Sequence, residues 1–449
     1  MSSPQGVVFA LGGEKKFGSL VTQDSPRCLL TVGFQPMVWY AVRVLENAGV
    51  LEVFLVAAGA HNASRFEQWV VESYTGTCKI TVVAAPDDAD SADALRAVGE
   101  KLTGPSVAVL SGDLVTDVSL TDVLATHTRK SAVATCLYAK RRPWNAVETK
   151  TGRPPKGATY VGLSDDCHLL FAGDEEDVDK ILKLRRPMLR RVNSLEVRTD
   201  LLDAQLYVFH TQMILNLLTQ ETHLRNIQLD VVPALARRQF SKNKKDDDAM
   251  DASDTSNTLS DEAELMKAVF GNDSGNDDSS QEDSMSSVTA PCVAWLAPDD
   301  AYVARAETLS PAYSEIVREL ASSDAAASLL GCLPSKYENF VEPNVAIGAK
   351  STVGPGCIVG KDVVLGEKCS VKRSVVGEGA SIGSGVKLIN SVVMPRATVE
   401  DGCVIQGCVV GQRAVVGAGT SLRECLVAAE YEVDEGEDLR GETLAEKRH

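Results

Sequence analysis

Val376-Gly377-Glu378-Gly379-Ala380-Ser381-Ile382-Gly383-Ser384-Gly385-Val386-Lys387-Leu388-Ile389-Asn390-Ser391-Val392-Val393 is the stretch that decides the fold. It leaves Val376 and returns to Val393, 17 positions on, through Ile382 and Leu388. The rhythm extends both ways. Aliphatic residues stand at 341, 347, 353, 359, 365 and 371 before it, and at 399, 405, 410, 416, 422, 427 and 433 after it. Helices repeat at about 3.6 residues and strands at about 2, so neither explains a step of six, six and five. A three-sided parallel β-helix does, with one side per hexapeptide and one coil per 17 or 18 residues. Its aliphatic residues point inward and stack into an apolar column. Gly348, Gly354, Gly360, Gly366, Gly377, Gly383, Gly411 and Gly417 fall at expected corners. Corners are expected to demand backbone angles that side chains resist.

The chain has 449 residues and a formal net charge of −17. That length accommodates two or three domains, and the charge excludes a dedicated nucleic-acid binder. Residues 241–290 alone carry 13 acidic and 4 basic side chains. This segment is rich in Asp, Ser, Asn and Gly. Too little apolar surface is available there to offset the entropy of ordering, so a disordered insertion is expected. The 11 cysteines are odd in number and scattered without CxxC or metal-site spacing, and no secretory leader is evident, so reduced thiols in the cytosol are expected. No apolar run is long enough to span a membrane.

The first part of the chain alternates strand and helix. Strands are expected at 5–12, 53–58, 80–85 and 107–110, with helices at 36–48, 63–74 and 91–102 between them. This alternation predicts an α/β domain with a mainly parallel sheet. Further strands are expected at 132–138 and 205–209, and a helix at 308–322. In open parallel sheets ligands sit beyond the carboxyl ends of the strands. Gly12-Gly13 follows the first strand and Asp113 the fourth. A glycine turn lets backbone N–H groups approach phosphates. A carboxylate at a strand end either caps a helix or holds a divalent cation.

Leu11-Gly12-Gly13, followed by Ser25-Pro26-Arg27-Cys28-Leu29-Leu30-Thr31-Val32-Gly33, resembles the sugar-phosphate nucleotidyltransferase family. That family reads G-G-x-G-x-R-L and then P-K-P-L-L-P-V. The resemblance implies a Rossmann-like domain followed by a left-handed β-helix. It also implies chemistry that joins a sugar 1-phosphate to a nucleoside triphosphate and releases pyrophosphate. By the same resemblance Gly12, Gly13, Lys16 and Arg27 would hold phosphates, and Asp113 would bind Mg²⁺. The match is damaged. Glu14 stands where the family has its third glycine, and Arg27 and Cys28 replace the Lys and second Pro of P-K-P. Arginine keeps the charge but loses the compact ammonium. A later acidic residue of the family matches Asp230 only loosely.

Pro86-Asp87-Asp88-Ala89-Asp90-Ser91-Ala92-Asp93-Ala94-Leu95-Arg96, Leu110-Ser111-Gly112-Asp113-Leu114-Val115-Thr116-Asp117, Leu202-Asp203-Ala204-Gln205-Leu206-Tyr207 and Val232-Pro233-Ala234-Leu235-Ala236-Arg237-Arg238-Gln239-Phe240 narrow the resemblance. Together they are similar to the gamma-subunit family of eukaryotic translation initiation factor 2B. This resemblance implies a cytosolic, non-catalytic subunit of a guanine-nucleotide exchange complex. Its expected partners are a catalytic epsilon subunit, the beta, delta and alpha core subunits, and initiation factor 2 as substrate. No membrane and no direct nucleic-acid contact are expected. In that family the catalytic part of epsilon follows its β-helix, and the shortness of the chain here beyond 433 is read as lacking such a part.

The resulting layout is a nucleotidyltransferase-like domain at 1–322 that contains the 241–290 insertion, a linker at 323–340, a left-handed β-helix at 341–433 and a charged, frayed tail at 434–449. Gly12, Gly13, Lys16, Arg27 and Asp113 are expected to mark a residual phosphate pocket. No catalytic residue and no cofactor is expected, and Asp113 would carry a metal only if the pocket were active. The alternative is a working mannose or glucose 1-phosphate nucleotidyltransferase. Histidine is absent from 341–433, which argues against an acyltransferase built on the β-helix.

Overall fold

The computed structural model describes residues 4–23, 25–142, 159–174, 184, 186–240, 291–320 and 326–445. The expected 241–290 insertion lies outside these residues.

Seven strands build the main sheet: β1 (Gln5–Ala10), β2 (Glu52–Ala58), β3 (Lys79–Ala85), β4 (Ser106–Ser111), β5 (Ala134–Lys140), β6 (Leu201–His210) and β7 (Cys292–Leu296). Their spatial order is β7-β5-β6-β4-β1-β2-β3. All neighbours pair in parallel except β6, which runs antiparallel to both β4 and β5. The mainly parallel reading therefore holds, with one reversed strand. β1 is buried along its whole length because helices cover both faces of the sheet. A strand covered on both faces reads as a continuous apolar run, as Val7-Val8-Phe9-Ala10 does. Gln5 tethers its start: Oε1 accepts from the N–H groups of Thr103 at 2.7 Å and Gly104 at 2.9 Å.

Helix Ser91–Val98 begins with a reciprocal cap between Asp90 and Asp93. Such a box satisfies backbone donors that the first turn leaves free. Arg96 on that helix donates to the carbonyls of Leu218, Glu221 and Leu224 at 2.8–3.0 Å, which closes the end of helix Thr211–Gln220.

The C-terminal domain is a column of parallel strands arranged as three sheets of seven, six and six strands. It is a left-handed β-helix. The inward residues Val359, Val376, Val393, Val410 and Val427 are essentially inaccessible and share one core cluster. Cys357, Cys369, Cys403, Cys408 and Cys425 are buried at its corners, as small hydrophobes.

Three sequence expectations need correction. The ladder continues beyond 433 through strands Asp438–Arg440 and Thr443–Leu444, so 434–445 is another coil and not a frayed tail. Leu439 and Leu444 supply its inward positions, and charged neighbours masked them in the sequence. The span 323–340 is not a plain linker either: helix Ala326–Leu330 buries Ala326, Leu329 and Leu330. The corner glycines also have a different cause. A Cβ on Gly366 would lie 2.6 Å from the Gly383 carbonyl carbon, and one on Gly377 would lie 2.5 Å from Pro395 N. These glycines permit close approach of successive coils. The left-handed backbone falls two residues later, on Gly379 (φ +65°) but also on Lys368 (φ +57°) and Arg396 (φ +58°).

One face of the β-helix is covered by the first domain. The outward residues Ile358, Val375, Val392 and Val409 pack with Tyr313, Ile316, Leu320 and Leu330 in a common core. Arg318 Nη2 adds a bond to the Gly407 carbonyl at 3.3 Å, and Ala429 N–H donates to the Ser19 carbonyl at 3.0 Å. The expected 308–322 helix is present as a π-turn, Leu309–Tyr313, followed by helix Ser314–Leu320.

Candidate functional site

β1 ends at Ala10, and the chain turns through Gly12 (φ +44°) and Gly13 (φ +78°). Both angles lie in the left-handed region that glycine adopts at little cost. Gly13 is needed for a second reason. A Cβ there would come within 3.0 Å of the Arg27 guanidinium. The turn leads into the short helix Glu14–Phe17, whose Lys16 is exposed and lines the cavity. β4 ends at Ser111, and Gly112 donates its N–H to the Phe9 carbonyl at 2.8 Å. This bond draws the ends of β1 and β4 together and sets Asp113 beneath the glycine turn.

A cavity of about 680 Å³ opens at these strand ends. All five expected residues, Gly12, Gly13, Lys16, Arg27 and Asp113, line it. Asp230 does not. Its Oδ2 accepts from the N–H groups of Arg225 and Asn226, both at 2.9 Å, so it serves as a local turn cap. The buried carboxylate facing the cavity is instead Asp203. A bulge in β6 between Asp203 and Tyr207 displaces the ladder, with Gln205 at φ +51°. Bulges re-aim side chains next to sites. Asp203 Oδ1 accepts from Gln205 N–H at 2.8 Å, and Oδ2 accepts from the Tyr207 hydroxyl at 2.9 Å.

Asp113 is only 1% exposed. Arg27 Nη1 donates to its Oδ2 at 3.1 Å, and Arg305 Nε reaches Oδ1 at 3.3 Å while Nη2 reaches Oδ2 at 3.4 Å. Arg305 also pairs with Glu307. Burial would raise the Asp113 carboxyl, but the charges of Arg305 and Arg27 outweigh it and hold it well below the usual carboxylate range. Arg27 Nη2 donates to the Leu11 carbonyl at 3.3 Å, and its buried Nε has no hydrogen-bond partner among the described residues.

Arg305 was not anticipated from sequence. It lies 192 positions from Asp113. The short strand Val303–Arg305 brings it there by pairing antiparallel with Leu114–Thr116.

These contacts test the metal that the family resemblance assigns to Asp113. Both carboxylate oxygens are already engaged by guanidinium groups, and no cluster of three metal-ligating side chains occurs among the described residues. A cation held about 4 Å from a guanidinium meets about 4 kcal/mol of repulsion per unit charge at an effective dielectric of about 20. The residues do not fit a divalent ion.

Comparison with known proteins adds an independent line. Residues 6–146 match the family model described as Nucleotidyl transferase, and residues 336–439 match the EIF2B subunit epsilon LbH domain. The chain is 24% identical over 402 residues to the translation initiation factor eIF2B subunit gamma of Dictyostelium discoideum, covering 85% of this chain and 89% of that one. It is 26% identical over 242 residues to the gamma subunit of Schizosaccharomyces pombe, covering 53% of this chain and 52% of that one. An epsilon subunit of S. pombe matches at 24% identity over 222 residues, 47% of this chain and 32% of its own. Among the described residues no helix is long and apolar enough to cross a membrane. With a nucleotidyl transferase segment in front and an epsilon-type β-helix behind, this chain is similar over most of its length to the gamma subunits of translation initiation factor eIF2B.

Proposed function

We propose that the chain is a non-catalytic subunit of the cytosolic guanine-nucleotide exchange complex that reloads translation initiation factor 2 with GTP. In this reading it supports a catalytic epsilon subunit and is joined to a core of beta, delta and alpha subunits. The observation that carries it is the double guanidinium clamp on Asp113. Pyrophosphorylase chemistry needs that carboxylate free to organise a metal and phosphates. Here the carboxylate is spent on structure. What persists is a framework: a packed α/β domain fixed to one face of a β-helix. Gly12, Gly13, Lys16 and Arg27 form a residual phosphate cradle within it, without a catalytic group.

Two comparisons support the reading: similarity to gamma subunits along most of the chain, and an epsilon-type β-helix. Relatives that share one architecture and act as subunits of one factor are suited to pair with each other. The test is to incubate the purified chain with Mg²⁺, nucleoside triphosphates and sugar 1-phosphates. No pyrophosphate release is expected. Release that disappears with Asp113→Asn would establish the alternative, a working nucleotidyltransferase.

A further inference from the structure

We propose that Arg305 is a built-in substitute for a divalent cation: together with Arg27 it completes the surroundings of Asp113 and bars metal from the site. The inference deepens the non-catalytic reading and rests on it.

Arg305 is positioned by backbone and not by a chance reach of its side chain. Val303–Arg305 pairs in register with Leu114–Thr116, so Arg305 sits opposite Leu114, next to Asp113. The Ala306 N–H donates to the Asp113 carbonyl at 3.0 Å and fastens the same segment from its other end. Arg305 is 6% exposed, so solvent screens its charge little. A planar guanidinium presents donors that match the two oxygens of a carboxylate, and Arg305 uses Nε and Nη2 in that way.

Within the ion pairs themselves the charges balance. Arg27 and Arg305 carry two positive charges, while Asp113 and Glu307 carry two negative ones. A hard divalent cation seeks several oxygen ligands. Asp203, the other buried carboxylate at the cavity, is committed to Gln205 and Tyr207. A metal would therefore have to displace two buried guanidiniums and recruit new oxygens. Neutralising Arg305 removes one competing cation and frees Asp113 Oδ1.

The experiment is Mn²⁺ titration of the full chain, read by the electron paramagnetic resonance of free Mn²⁺. Wild type and Asp113→Asn are expected to bind equally, reporting only weak surface carboxylates. Arg305→Gln is expected to gain one site, at least about tenfold tighter than those, the size of change that neighbours of a ligand exert on metal affinity. That site should vanish in the Arg305→Gln, Asp113→Asn double variant. Arg27→Gln repeats the test from the other side of the carboxylate. Mn²⁺ binding by wild type that is lost in Asp113→Asn overturns the proposal. So does the absence of any gained site in both folded glutamine variants. Anomalous diffraction from wild-type crystals soaked in MnCl₂ needs no variant: no peak is expected at Asp113, and a peak there overturns the proposal. Manganese at Asp113 without pyrophosphate release would sink this inference alone, whereas pyrophosphate release would sink the functional reading.

Discussion

At the residue scale, the site is an ion cluster whose stability comes from mutual pairing. Breaking a buried pair by removing one partner strands the other charge and costs roughly 3–5 kcal/mol. Asp113→Ala is therefore expected to lower the urea midpoint substantially, because Arg27 and Arg305 remain buried without their shared acceptor. Replacement of the exposed Lys16 by Ala should change stability little. A second buried group sets a pH dependence. His127 Nδ1 lies 3.0 Å from the Thr135 hydroxyl, and burial, aided by His210, pushes its pKa down to about 4. The unfolded chain then binds the proton more readily between pH 6.5 and about 4, so stability rises with pH across that window. Unfolding free energies from urea titrations at pH 7.5 and 5 should differ in that direction, by about 2 kcal/mol from this group. A His127→Gln variant should show a flatter profile, and an unchanged slope would contradict the assignment. Asp113 and the glycines were legible in the sequence because they follow strand ends, and Arg27 because it stands in a short motif that resembles the family's P-K-P. Arg305 and Asp203 were not. Their roles depend on a distant strand register and on a bulge, neither of which has a local signature.

At the element scale, the β-helix was legible because its period is written in every coil. Its inner column follows the aliphatic spacing without exception from Val359 to Val433. Its corners were less legible, since two demands there resemble each other in sequence. One is close approach, at Gly366 and Gly377. The other is positive φ, which Arg373 (φ +45°) and Asn390 (φ +50°) accept without being glycine. The distinction is testable. Gly366→Ala must move a neighbouring backbone and should destabilise by roughly 1–3 kcal/mol, as overpacking does. Arg373→Gly relieves a left-handed residue worth roughly 1–2 kcal/mol, offset in part by unfolded-state entropy. It should be neutral or stabilising. Thermal denaturation of the two variants checks both, and equal losses would show that corner strain had been misplaced. The final coil escaped the sequence reading because Glu432, Asp434, Glu435, Glu437 and Asp438 surround its few apolar residues.

At the scale of the whole molecule, the two domains behave as one body because a single core crosses their boundary. The face formed by Ile358, Val375, Val392 and Val409 points out of the β-helix and is buried against the first domain. Val392→Asp should therefore lower the cooperative melting transition of the whole chain, not just of the β-helix. If the 241–290 insertion is a variable tether with no essential role, deletion of residues 243–289 is expected to leave folding and complex assembly intact, and loss of soluble protein would refute that reading. The order of domains and the similarity to eIF2B gamma subunits could be reached from sequence, because several motifs recur in one order. The fusion of the domains could not, since it depends on outward residues of one face alone. The central claim is that a pocket built for phosphate chemistry now serves as structure within an exchange factor. It is tested most directly by the rate of GDP release from initiation factor 2, with the epsilon subunit alone, with epsilon and this chain, and with this chain alone. The account predicts faster release when the two are combined than with epsilon alone, and none above background with this chain alone. An epsilon rate unaffected by the chain, with no complex formed between them, would contradict it.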